Sequence, residues 1–459
     1  MSRSKTIWLL LCFLLLAPLS LFAQTEDLSI SIVGILRGLL GIAALVGIAW
    51  LFSENRKSIS WSLVLKGLAF QMILAILILK VEAVSSVFGW LSAGFVKVIS
   101  FSDFGSDFLF RSFETGKVEQ SVENFAFRIL PTIVFFSALT ALLYYYNILQ
   151  KVVYAFAWIM KHTLKLSGAE SLAAAGNIFL GQTESPLLIR PYLDKMNRSE
   201  LMCLMTGGMA TIAGGVLASY IGFLGGESNA ERIIFAKHLL TASIMSAPAA
   251  VVAAKILVPQ REKYLIEMKV SQTKPGSNAL EAISNGTTDG LKLAINVGAM
   301  LLVFTALIYM YNYILGDLIG NWTGLNTLIA ENTIYSKLTF EFVLGYLFAP
   351  LAWLIGVPAD DIVLVGQLLG EKTILNEFYA YVTLGDLKST YSFASEKSVI
   401  MSTYILCGFA NVASIGIQIG GIGALIPNRK GLLSSLGVKA LIGGTLASLF
   451  TAALVGILI

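Results

Sequence analysis

Long apolar stretches alternate with short polar ones along nearly the whole chain. Eight of them, near residues 33–53, 61–81, 123–147, 199–223, 235–257, 289–315, 397–425 and 432–458, are each long enough to cross a bilayer as helix, which takes about twenty residues. Strands are not expected, because an open sheet edge finds no hydrogen-bond partners in hydrocarbon. Three further apolar segments fit spans badly. Residues 84–112 mix Phe, Trp and Gly with Asp103 and Asp107, and read as a helix along the outer interface. YAFAWIMKHTLKL, 153–165, is short, carries Lys161 and His162, and reads as an inner interfacial helix. FEFVLGYLFAPLAWLIG, 341–357, is broken by Pro350 and reads as another interfacial element. Two stretches, 168–195 and 361–394, are too polar at their centres for simple spans. They read as re-entrant hairpins, with tips shielded from lipid by protein.

The polar interruptions pair up. TGGMATIAGG at 206–215 places Gly208, Ala210, Thr211 and Ala213 at the spacing of Gly408, Ala410, Asn411 and Ala413 in LCGFANVASIG at 406–416. Each block follows a hairpin with an acid near its tip: Glu184 in QTESP and Glu377 in LNEFYAY. Small residues alone would indicate only helix packing, but the order hairpin, interrupted helix, plain helix occurs twice. One span, 289–315, separates the copies and inverts the second. Inverted repeats with broken helices meeting near the midplane are a transporter arrangement. Unwinding is expected at Gly207–Gly208 and near Gly408, where freed carbonyls and helix ends can hold a cation or a polar solute.

Composition and charge narrow the class. The chain has 459 residues, 56% apolar and 13% charged, against about a quarter charged in a soluble domain, and its mean hydropathy is +0.78. The net charge of +4 reports membrane orientation and not nucleic acid. With the mature start outside, the basic loops SENRKS (54–59), PQREKYLIEMKVSQTK (259–274) and PNRK (427–430) all fall inside. The leader, with Arg3 and Lys5 before a leucine-rich run and small residues near Ala23, reads as a signal peptide over 1–24. Cys12, Cys203, Cys407, His162 and His238 show no metal-ligand spacing.

The candidate chemistry sits at the interruptions. A carboxylate in a low-dielectric region costs on the order of 3 kcal/mol or more, so Glu184 and Glu377 need partners, which ligand hydroxyls can supply. Gln182 can both donate and accept along a planar amide-like edge. Asn177 and Thr211, with nearby carbonyls, suit a small hard cation. Glu377 paired with Lys372 in a loop is the plainer alternative. Other classes weigh less. A hydrolase using Glu184 and Glu377 as acid and base needs a reacting group held between them, and HExxH is absent. Two opposed hairpins imply gates on both sides, which a passive channel does not need.

At these residues the chain resembles the concentrative nucleoside transporters, bacterial members in particular. The resemblance runs from about residue 37 to the end and is carried by GNIFLGQTESPLLIRPYL, GGMATIAGGVLASYIG, GEKTILNEFYAY and CGFANVASIGIQIGGIGAL in that order. It implies an all-α polytopic membrane protein of eight transmembrane helices with two opposed re-entrant hairpins, interfacial helices and inverted repeats. It also implies a homotrimer in a bacterial inner membrane, importing a nucleoside such as uridine with sodium as the coupling ion, not an enzyme. By similarity, Gln182, Thr183 and Glu184 face the nucleobase with Val216 as an apolar contact, while Glu377, Asn411 and Ser414 hold ribose and Phe409 lines the pocket. Sodium is expected among Asn177, the Leu180 carbonyl, Thr211 and the Ile212 carbonyl. Ser185 stands where the family has alanine, which suggests an adjusted base preference. A proton-coupled symporter is the nearest alternative. The transport repeats are expected at 148–257 and 341–458, around a scaffold of 33–147 and the span 289–315.

Overall fold

A computed structural model describes residues 32–119, 124–226, 228–262, 268, 270 and 275–459; the leader at 1–24 lies outside the described residues. The described elements are helices, without strands. In chain order the longer ones are α1 (Ile32–Leu51), α2 (Trp61–Lys80), α3 (Glu82–Phe110), α4 (Leu130–Tyr145), α5 (Ile148–Leu164), α6 (Gly168–Gly176), α7 (Arg198–Ala210) and α8 (Gly214–Gly225). They continue with α9 (Asn229–Leu257), α10 (Ala279–Asn312), α11 (Phe340–Leu354), α12 (Ile362–Ile374), α13 (Glu377–Ser389), α14 (Glu396–Leu406), α15 (Val412–Leu425) and α16 (Lys430–Leu458). Eight helical segments have the length and apolarity of membrane spans.

Seven of these coincide with expected spans. The eighth expected span, 397–425, is divided into α14 and α15, each too short to cross alone. In its place among the long apolar helices stands α3, continuous over 29 residues, where an interfacial helix was expected. Its two acids are paired, Asp107 with Arg128 at 3.3 Å and Asp103 with Arg232 at 3.9 Å. The segment at 153–165 falls in α5, which buries Val153, Ala157, Met160 and Leu164 on one side and exposes Tyr154, Trp158 and Ile159 on the other, as an amphipathic interfacial helix would. Pro350 does not break its segment: α11 runs through it to Leu354, two residues before Gly356 with φ +93°. A proline forfeits one ladder hydrogen bond, which neighbouring groups in a membrane helix can tolerate.

α9 and α16 form the centre. More than four fifths of their apolar windows are buried, and both pack against α7, α1, α2 and α14. Small residues make this closeness possible. A methyl on Gly444 would lie 2.7 Å from Met209 Cβ, and one on Gly443 would lie 2.9 Å from Thr206 Cγ2. α10 stands at the margin instead, packed on α4 through Gly286 and Gly290, whose added methyls would meet Ala138 Cα and Val134 Cα at 2.9 and 2.8 Å. Its remaining surface exposes Leu302, Leu307, Tyr309 and Met310.

Contacts at the two ends of α9 orient the hairpins. At its C-terminal end, Glu54 N–H donates to Leu257 O at 2.9 Å, Glu54 binds Arg198 at 2.7 Å, and Lys255 pairs with Glu170 at the start of α6. Arg429 donates to Leu193 O at 3.2 Å there. The base of the first hairpin and the basic loops at 54–59, 259–262 and 427–430 therefore share one end, consistent with a common cytoplasmic face. At the N-terminal end of α9, Lys388 of α13 pairs with Glu231 and donates to Leu224 O at 3.0 Å. Asp361 accepts from Ala394 N and Ser395 N at 2.8 and 3.1 Å, closing the base of the second hairpin. The bases of the two hairpins thus contact opposite ends of α9, a helix about 43 Å long.

Candidate functional site

The first hairpin is built from local rules. A capping box of Ser167 and Glu170 starts α6, which runs on alanines to Gly176. The chain then turns through 177–184 into a short helix, Ser185–Leu188, and a 3-10 segment, Arg190–Lys195. Ser185 donates to Ala173 O at 3.1 Å, so its hydroxyl fastens the hairpin internally. The second hairpin is α12 and α13, with Asn376 capping α13 by accepting from Tyr379 N at 2.8 Å. Glu377 is the first residue of α13 and is buried.

Both interrupted helices break opposite these tips. α7 ends at Ala210 and α8 begins at Gly214, with Thr211–Ala213 extended between them. α14 ends at Leu406 and α15 begins at Val412, capped by Asn411. The second break includes Gly408 at φ +129°, as expected, but Gly207 and Gly208 remain helical. Their role is close approach. A methyl on Gly207 would lie 2.6 Å from Asn177 Nδ2, and one on Gly208 would lie 2.8 Å from Gln418 Nε2 and 2.9 Å from Gln182 Cβ. The breaks touch each other: a methyl on Gly408 would lie 2.7 Å from Met209 O and 2.8 Å from Ala210 O.

A chain of side chains crosses this junction. Gln182 Nε2 donates to Ser414 Oγ at 3.1 Å, Asn411 Oδ1 accepts from Ser414 N at 2.8 Å, and Asn411 Nδ2 donates to Glu377 Oε2 at 2.8 Å. Glu377 Oε1 accepts from Tyr220 O–H at 3.1 Å. One hairpin tip is thereby linked to the other through the break of α14 and α15. Gln182 Oε1 is buried without a partner. Thr183 packs on α15, where a methyl on Gly421 would lie 3.0 Å from its Cγ2. Glu184 is exposed, with its carboxylate folded over Gly181, and takes no part in the linked chain. Val216 is buried in α8 and Phe409 half-buried in the second break.

Of the four residues expected at the cation, Asn177 and Thr211 approach the same helix end. Asn177, Leu180, Thr211 and Ile212 are all buried. Asn177 Nδ2 donates to Leu204 O at 3.5 Å and Thr211 Oγ1 donates to Gly207 O at 2.9 Å, so both side chains converge on the last turns of α7. Asn177 Oδ1 is buried with no hydrogen-bond partner. A buried amide oxygen without a donor is costly, and a sodium ion, bound through oxygen, would satisfy it.

Two participants escaped sequence reasoning. Tyr220 stacks on Tyr381 with centroids 4.1 Å apart while holding Glu377; nothing in LASYIG separates it from a core aromatic. Gln418 Nε2 donates to Met205 O at 2.9 Å and tethers α15 to α7. A lone glutamine in IGIQIGG was the available signal for it.

Comparison with known proteins agrees with this geometry. Residues 238–456 match the family described as Na+ dependent nucleoside transporter C-terminus, residues 40–113 its N-terminus counterpart, and residues 126–227 a nucleoside recognition domain named Gate. The chain is 40% identical to an uncharacterized transporter, YutK, of Bacillus subtilis over 93% of this chain and 100% of the relative. It is 37% identical to human solute carrier family 28 member 3 over 91% of this chain and 59% of that longer protein. The structure of CNTnw in an inward-facing substrate-bound state superposes with TM-score 0.80 at 38% identity, covering 92% of this chain and 97% of that one. The linked hairpin tips, the interrupted helices and these matches place the chain in the sodium-dependent nucleoside transporter family.

Proposed function

We propose that this chain is a sodium-coupled nucleoside importer working by alternating access, with its two hairpins as re-entrant gates of inverted repeats. The observation that carries the reading is the hydrogen-bonded chain from Gln182 through Ser414 and Asn411 to Glu377. It joins groups from both repeats in a donor and acceptor pattern suited to a nucleoside. Ribose hydroxyls donate to the Glu377 carboxylate and exchange bonds with Asn411 and Ser414. Gln182, with its free oxygen, pairs with the edge of the base, and Thr183 and the accessible Glu184 complete that end, with Val216 and Phe409 as apolar walls. Sodium binds through Asn177, Thr211 and the carbonyls of Leu180 and Ile212, drawing the first hairpin onto the end of α7. Coupling follows if sodium prefers the conformation that binds nucleoside, and nucleoside then tightens sodium in return. The solved CNTnw structures include inward-facing, outward-facing and intermediate states, which supports alternating access for this fold. The exposed apolar surface of α10 suits lipid or a neighbouring protomer, in keeping with a homotrimer in a bacterial inner membrane.

Uptake of labelled uridine by proteoliposomes tests the reading. An inward sodium gradient should drive accumulation above equilibrium, and an equal potassium gradient should not. Equal rates under both, or uptake driven only by a pH gradient, would refute sodium coupling. Sodium-driven uptake of some other solute class with no uridine competition would refute the nucleoside site.

A further inference from the structure

Lys372 is fully buried and has no place in the reading above. It stands in the last turn of α12, the first arm of the second hairpin. Its ammonium donates to Ile405 O at 2.8 Å and to Ser448 Oγ at 3.0 Å, and Ser448 donates in turn to Cys407 O at 2.9 Å. Those carbonyls close α14 where it unwinds, and a helix C-terminus carries unpaired carbonyls and partial negative charge.

The first repeat has the same arrangement with different chemistry. Asn177 directly follows α6, the first arm of the first hairpin, and reaches Leu204 O, seven residues before Thr211. Lys372 reaches Ile405 O, six residues before Asn411, the position that pairs with Thr211 in the repeat. In each repeat the end of the hairpin's first arm is therefore aimed at the same turn of the interrupted helix. Asn177 brings a neutral amide with an unpartnered oxygen. Lys372 brings a positive charge of its own.

We propose that Lys372 is a tethered cation that takes, in the second repeat, the place sodium takes in the first. It neutralises the end of α14 and fixes the second hairpin's first arm to that break. The asymmetry has a consequence for coupling. Only the first hairpin needs an external ion to seat against its broken helix, so one sodium ion accompanies each nucleoside. This rests on the sodium reading of Asn177 and Thr211.

The test is sodium activation of uridine uptake by the full-length protein in proteoliposomes, comparing wild type with Lys372→Ser. Serine removes the charge and leaves a hydroxyl and space beside Ile405 O. Wild type should activate with a Hill coefficient of about 1 and the variant with one approaching 2, as expected when a second ion must bind before transport. The variant should also need several-fold more sodium for half-maximal uptake, and Lys372→Arg should keep the wild-type form. A Lys372→Ser curve identical to wild type would overturn the proposal. Should that variant fail to fold or transport, the wild-type ratio of labelled sodium to labelled uridine taken up decides the same question: one supports the proposal and two overturns it. Wild-type uptake indifferent to sodium overturns the sodium reading and this proposal with it, whereas a sodium-dependent wild type with an unaltered Lys372→Ser curve overturns this proposal alone.

Discussion

Gly207 and Gly208 are adjacent in α7, yet a methyl on each would meet a different part of the site, so alanine at each position should separate ion binding from substrate binding. At Gly207 the new Cβ lies 2.6 Å from Asn177 Nδ2, and at Gly208 it lies 2.9 Å from Gln182 Cβ and 3.3 Å from Gln182 Cα. Ordinary contact begins near 3.4 Å, so Asn177 must retreat by about 0.8 Å, while Gln182 must shift by about half an ångström together with its backbone. Helix propensity works the other way, because alanine is better than glycine in a helix interior by about 1 kcal/mol. Any loss is therefore steric in origin. Overpacking of this kind costs about 1–3 kcal/mol, and 1.4 kcal/mol is about tenfold in an equilibrium constant. Gly207→Ala should raise the sodium concentration for half-maximal uptake about tenfold with uridine KM at saturating sodium within about twofold of wild type. Gly208→Ala should raise uridine KM about tenfold at saturating sodium. The assay is initial-rate uridine uptake in proteoliposomes over a grid of sodium and uridine concentrations. Variants that move both constants together, or neither, would refute the separation of the two ends of the site.

Other substitutions probe single groups. Glu377→Gln removes a charge-assisted acceptor worth about 1.5–3 kcal/mol and should lower uptake kcat/KM by about ten- to a hundredfold, whereas Glu396→Gln, exposed at the start of α14, should stay close to wild type; similar losses for the two would argue against Glu377 in the ribose site. Asn177→Ala deletes one oxygen ligand and should raise half-maximal sodium about tenfold; unchanged sodium dependence would place the cation elsewhere. Glu54 tests the basic end, since hydrogen bonding from the Arg198 guanidinium, helped by Lys439 and opposed by burial, holds its carboxyl down to about 2 from an ordinary 4.5. The folded state then gains from Glu54 above its ordinary value and loses that gain as pH falls from there toward 2. Glu54→Gln should lower the thermal midpoint at pH 7 by about 2 °C, as for a partly exposed pair worth up to about 1 kcal/mol, and the difference from wild type should shrink below pH 4.5; a difference constant down to pH 3 would refute the assignment.

Much of the architecture was legible because it is written in local chemistry. Seven spans follow from runs of apolar residues, since hydrocarbon demands about twenty of them in helix. The hairpins announce themselves by Asn, Gln, Thr and Glu where a span would be apolar, and the paired Gly-Ala blocks by recurrence. The limits of local reading are equally specific. Gly207 and Gly208 suggest unwinding on their own, but they stay helical and instead let Asn177 and Gln182 of another element approach closely. Residues 397–425 have the apolarity of one span, and only the cap at Asn411 and the positive φ at Gly408 divide them. Glu184 and Glu377 look equivalent in sequence, yet Glu377 is buried between Asn411 and Tyr220 while Glu184 is exposed. The sequence by itself determined the membrane class, the all-helical character, the family and seven of the spans. Tertiary structure decided which polar side chains meet, that Gln182 links the first hairpin to Ser414 of α15, and that Lys372 donates to Ile405 O near the end of α14. The physical reason is that hydropathy and capping act within a few residues along the chain, whereas a buried donor finds its acceptor only when helices hundreds of residues apart are packed together.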